Sequence, residues 1–183
     1  MHELSLHILD LVQNSLEAGA NDIFLEIIED RPKDELMLRV TDNGKGMHET
    51  LLGTVRDPFV STRKTRKVGL GLPLIDMTAR QAGGSLDIES KPGKGTVVKA
   101  TYCLNHIDCP PLGKIGAALK ALLVGNPGVN IRYYHQVDSQ TFSLSTQEIR
   151  GILHGIPLTH PDVLLWLDGH IRENLARLYG GVK

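Results

Sequence analysis

The stretch from Val40 to Leu72 constrains this chain most. It reads V-T-D-N-G-K-G-M to Met47, and the basic, hydroxyl-rich P-F-V-S-T-R-K-T-R-K follows at 58–67. V-G-L-G-L-P-L-I then runs from Val68. An acid followed by two alternate glycines leaves a strand, and a second glycine pair opens a helix. Glycine lets a backbone approach a ligand closely, and a helix N-terminus with neighbouring cations suits phosphate. The stretch is therefore read as the wall and lid of a nucleotide pocket.

The 183 residues allow one domain with an appendage, or two small domains, and can bury a core without staples. The formal net charge of −1 gives no whole-surface attraction to nucleic acid or to an anionic membrane, so neither is an expected partner. No apolar run approaches the ~20 residues that span a bilayer, and no signal-peptide pattern opens the chain. Cys103 and Cys109 match no metal-ligand spacing, and two free thiols in a reducing cytoplasm are expected over a disulfide.

Met1 to Gly19 has the period of an amphipathic helix: Leu4, Ile8, Leu11 and Val12 share a face, with Gly19 as the C-terminal cap. Asp10 and Asn14, on the opposite arc, are one turn apart and point the same way. Beside a triphosphate, the amide oxygen can ligate Mg²⁺ and the carboxylate can take a proton. Alone, such a pair reads as a solvated polar face; the glycine motifs reverse that reading. Asn21–Asp30 and Glu35–Asp42 alternate as strands around an Arg31–Asp34 turn, which leaves Asp42 where a strand runs out. There it can accept from an exocyclic amine, or cap the Asn43-Gly44 turn. A helix over Leu70–Ala82 and strands over Ser85–Lys91 and Thr96–Leu104 follow. This order predicts an α+β layer sandwich, with one mainly antiparallel sheet and helices on one face.

Three blocks together resemble the GHKL ATPases, the family of histidine kinases, anti-sigma-factor kinases, type II topoisomerases and heat-shock chaperones. D-L-V-Q-N-S-L-E-A-G-A (10–20) is similar to the N box, and D-N-G-K-G-M (42–47) to the first glycine box. V-G-L-G-L (68–72) is similar to the second, and the segment closing at Thr96 resembles the end of histidine-kinase ATPase domains. The resemblance covers roughly residues 1–104 and implies a Bergerat-type fold that binds ATP or ADP with Mg²⁺. It implies that Asn14 holds Mg²⁺, that Asp42 bonds the adenine amine, and that Thr96 supports it. Gly44, Gly46 and Met47 would pass beside the base. Gly69, Leu70, Gly71 and Leu72 would cradle phosphates, Phe59 would anchor the lid, and the γ-phosphate would be met from among the lid cations Arg63, Lys64, Arg66 and Lys67. Asp10 stands where several hydrolysing members place a longer Glu base, and Lys67 replaces the first glycine of the kinase lid motif. His2 echoes the phosphoacceptor of sensor kinases. On the N-box helix it could not reach its own γ-phosphate without melting that helix, so the match is read as coincidence. His7 either lines the pocket or bonds at its edge.

Residues 105–112 read as a linker, and 113–183 as a small C-terminal α/β extension of unassigned role. It comprises a helix over 113–124, a hairpin about Asp138-Ser139, a helix capped by Ser145 with Glu148, and a long helix opened by Pro161. The leading expectation is a cytoplasmic, regulatory Mg²⁺-dependent ATPase or protein kinase acting on a separate protein partner; a homodimer stays open. The alternative is a nucleotide-gated protein-binding module with little turnover. A third reading is a sensor-kinase relative that keeps only its ATPase half.

Overall fold

The computed structural model describes residues 3–53 and 71–181. The elements are α1 (Leu4–Glu17), β1 (Asp22–Asp30), β2 (Glu35–Asp42), the short α2 (Glu49–Leu52), α3 (Gly71–Gln81), β3 (Leu86–Lys91) and β4 (Gly95–Cys103). After these come α4 (Ile115–Gly125), β5 (Asn130–Val137), β6 (Gln140–Ser145), α5 (Thr146–Leu153) and α6 (Pro161–Leu178). The strands form one six-stranded sheet in the order β3-β4-β2-β1-β5-β6. Every neighbouring pair is antiparallel except β1–β5. The expected α+β sandwich, with its mixed, mainly antiparallel sheet, is what forms.

Strand alternation decides which side chains reach the helices. Ile23, Leu25 and Ile27 of β1, Leu36, Leu38 and Val40 of β2, and Val98, Ala100 and Tyr102 of β4 are all buried. They join Leu4, Ile8, Leu11 and Val12 of α1 and Ile75 and Ala79 of α3 in one apolar cluster. Burial of this face, at roughly 25 cal/mol per Å², is what fixes the register. On the other face, Glu26 lies directly opposite Arg39 in the ladder, and the guanidinium grips its carboxylate with two bonds of 2.5 and 2.6 Å. That pairing lets a carboxylate sit only 6% exposed on a central strand.

Residues 113–181 are hydrogen-bonded into this same sheet. β5 runs parallel to β1 from Asn130 opposite Asp22 to Val137 opposite Glu29. Leu119, Leu123, Ile131 and Tyr133 belong to the same buried cluster as α1 and β1. The 105–112 segment does more than connect. α1 has no side-chain N-cap; instead Leu4 N–H donates to Pro111 C=O at 2.9 Å and Ser5 N–H to Leu112 C=O at 3.1 Å. Carbonyls more than a hundred residues away thus satisfy two of the donors that every helix start leaves open. The expected cap on α5 forms, with Ser145 Oγ accepting from Glu148 N–H.

Candidate nucleotide site

Asp42 is the last residue of β2, and the ladder sets it opposite Ile23 of β1 and Thr96 of β4. Its Oδ1 accepts from Gly44 N–H at 2.8 Å and from Thr96 N–H at 3.2 Å. Its Oδ2 accepts from Ser15 Oγ at 2.7 Å. Of the two roles expected of this carboxylate, the turn contact is the one that forms. The carboxylate closes the Asn43-Gly44 turn, and it stays half-buried with acceptor capacity left over.

The loop after Asp42 is clamped on both sides. Asn43 Oδ1 accepts from the backbone N–H groups of Asn21 and Asp22, and Lys45 N–H donates to Ala18 C=O. Opposite, Gly93 N–H donates to Lys45 C=O, and Met47 N–H donates to Ser90 Oγ at 2.8 Å. Ser90 Oγ also lies 2.9 Å from Thr96 Oγ1. The two glycines of this box are required by the protein's own packing. A Cβ on Gly44 would sit 2.9 Å from Ala18 Cβ, and one on Gly46, at φ +67°, would sit 2.0 Å from Lys91 C=O. Close backbone passage is real here, and the nearest atoms it passes are those of α1 and the β3–β4 hairpin.

The second cluster lies where α3 begins against α1. Gly71 opens α3, and a Cβ there would be 3.5 Å from Asp10 Cβ and 3.8 Å from Asn14 Nδ2. The N-box acid and amide thus face the first turn of a helix, whose open N–H groups and dipole favour an anion. The Leu72 side chain packs on the core. On the polar arc of α1, His7 is buried and Asp10 and Asn14 are half-buried, while Glu17 at its end is exposed. His7 sits inside the fold at 2% exposure. Phe59, Lys64, Gly69 and Leu70, with His2 and the other lid cations, lie outside the described residues.

Mg²⁺ takes one or two protein oxygens and completes its shell with phosphates and water, and the half-buried Asn14 amide beside Gly71 would be one such ligand. Among the described residues no three His, Cys, Asp or Glu side chains converge as metal ligands. Sequence reasoning singled out neither Ser15 nor Ser90. Serine inside a helix or strand has no periodic signature, and only the fold brings Ser15 to Asp42, 27 positions away in sequence.

The chain belongs to the family of histidine kinase-, DNA gyrase B- and HSP90-like ATPases, whose sequence model matches residues 2–106. Among curated relatives, the sensor protein kinase FleS of Pseudomonas aeruginosa is 38% identical over 108 residues, covering 59% of this chain and 26% of that protein. Sporulation kinase C of Bacillus subtilis is 31% identical over 103 residues, covering 56% of this chain and 24% of the kinase. The chain thus spans about a quarter of the length of these relatives. The crystal structure of the N-terminal domain of a DNA repair protein superposes with a TM-score of 0.57 at 14% identity. That match covers 100% of this chain and 58% of the other, a likeness of fold. No described helix is long and apolar enough to cross a membrane.

Proposed function

We propose that this chain binds ATP with Mg²⁺ and acts as an ATPase or protein kinase toward a separate protein in the cytoplasm, in a regulatory role. One observation carries the reading: the α3 N-terminus is packed against Asp10 and Asn14, while Asp42 stands fixed at the end of β2 beside the same helix α1. Asp42 accepts from the exocyclic amine of adenine, Thr96 supports that carboxylate through its backbone, and Asn14 offers its amide oxygen to the cation. The α3 amides receive phosphate oxygens. Mg²⁺ held at Asn14 would supply neutralisation of the charge that develops on a transferred phosphoryl group. Asp10, beside Gly71, takes the proton of the attacking water or acceptor hydroxyl. The kinship with a sensor protein kinase and a sporulation kinase supports phosphoryl transfer as the chemistry.

Calorimetry with ADP and Mg²⁺ tests the binding step: the wild type should release heat, and Asp42→Asn should weaken the interaction by at least tenfold. Single-turnover phosphate release should fall ~100-fold or more in Asp10→Asn if the carboxylate is the base. Unchanged release would remove Asp10 from the chemistry. Absence of any ADP heat in the wild type would remove the whole reading.

A further inference from the structure

The geometry points to Ser15 as a positioning residue that sets adenine selectivity by holding Asp42, an inference that rests on the adenine-reading role proposed for that carboxylate. Ser15 is 3% exposed in the body of α1, one residue after Asn14. A serine at such a place ordinarily turns its hydroxyl back to the carbonyl one turn earlier. Here that contact, to Leu11 C=O, is 3.3 Å, whereas Asp42 Oδ2 is 2.7 Å away. A hydroxyl has one proton, and the nearer, charged acceptor takes it.

The two carboxylate oxygens are held in different ways. Oδ1 is fixed by backbone N–H groups, of Gly44 and of Thr96, which no side-chain change removes. Oδ2 is held, among the described residues, by Ser15. Without the hydroxyl the carboxylate keeps its Oδ1 anchor but is free to pivot about it, so Oδ2 no longer presents a fixed acceptor to an amine. Because the hydroxyl comes from α1, one helix supports both the base-reading acid and, through Asn14 and Asp10, the cation and proton chemistry.

The test compares ADP with IDP, whose base carries a carbonyl in place of the exocyclic amine, by calorimetry on the full chain with Mg²⁺. The wild type should prefer ADP, and Asp42→Asn should lose most of that preference. Ser15→Ala should lower the ADP-to-IDP affinity ratio about tenfold, while IDP affinity changes little. Ser15→Thr, which keeps the hydroxyl, should hold the ratio within about twofold of wild type. If Ser15→Ala does not fold, Ser15→Cys, a near-isostere with a weaker donor, carries the same test. A Ser15→Ala or Ser15→Cys chain that keeps the wild-type ratio, even with both affinities reduced, overturns the positioning role and leaves the adenine reading intact. A wild type that does not distinguish ADP from IDP, or an Asp42→Asn chain that distinguishes them equally well, overturns both.

Discussion

Cutting the chain after His106, at the end of the family match, removes α4, β5, β6, α5 and α6. The remaining 106 residues carry every site residue named above, yet they should not hold the fold. β1 would change from a central strand to an edge, because β5 pairs with it along its length. The buried side chains Leu4, Ile8, Ile23, Leu25 and Ile27 share a cluster with Leu119, Leu123, Ile131 and Tyr133. Were those five to lose half of their cover, at roughly 1.5–3 kcal/mol per fully buried side chain, the cost would be about 4–8 kcal/mol. Removing the carbonyls of Pro111 and Leu112 from the start of α1 forfeits two more bonds, each worth about 1 kcal/mol. A small domain has only about 5–15 kcal/mol in hand. The 1–106 fragment should therefore aggregate, or melt without a cooperative transition, when followed by circular dichroism. The full chain should melt in a single transition. A soluble monomeric fragment that melts cooperatively within about 5 °C of the full chain, a shift worth only ~1 kcal/mol, would refute the argument.

Gly46→Ala should cost more than ~2 kcal/mol in urea unfolding, because it adds a clash with Lys91 C=O to the strain of φ +67°. Gly93→Ala, at φ +73° with no atom near its Cβ, should cost only about 1 kcal/mol and serves as the control. The Glu29 carboxyl, 6% exposed, is pushed up by burial, but hydrogen bonds from His135 and Tyr179 and the charges of His135 and Arg31 outweigh that and hold it below its ordinary 4.5. A lowered folded value means the unfolded chain binds protons first, so this stabilisation is complete above about pH 5 and is lost as pH falls through the folded value. Tyr179→Phe removes one donor. The stability gap between wild type and this variant should be constant from pH 5 to 7 and shrink toward pH 3; a gap independent of pH would assign Tyr179 a packing role alone.

Local pattern carried most of the fold. α1, the β1–β2 hairpin, α3, the Ser145 cap and the Pro161 start of α6 all follow from periodicity, capping chemistry and turn residues, and each forms within a few residues of its expected limits. What local pattern cannot carry is the identity of a distant partner. The Asn130–Val137 strand alternates equally well beside any neighbour, so its parallel pairing with β1 is written only in the summed burial of both halves. The same holds for the linker, whose carbonyls at Pro111 and Leu112 have no sequence signature as a helix cap.

The site divides along the same line. Asp42 and the glycines of the first box were legible because a strand end and a tight turn each demand a particular residue type. Gly71 was legible as a helix start, but its approach to Asp10 and Asn14 is tertiary. Ser15 and Ser90 were silent, since a hydroxyl becomes informative only when something charged or a backbone donor is brought to it. This separates two kinds of constraint on the first glycine box. Gly44 and Gly46 are fixed by contacts with Ala18 and Lys91 whatever the ligand, so their presence argues for the fold. The orientation of Asp42 is different. The turn and the Thr96 contact use only Oδ1, so the bond from Ser15 to Oδ2 stands outside both, and it is there that the base selectivity proposed for this carboxylate would be set.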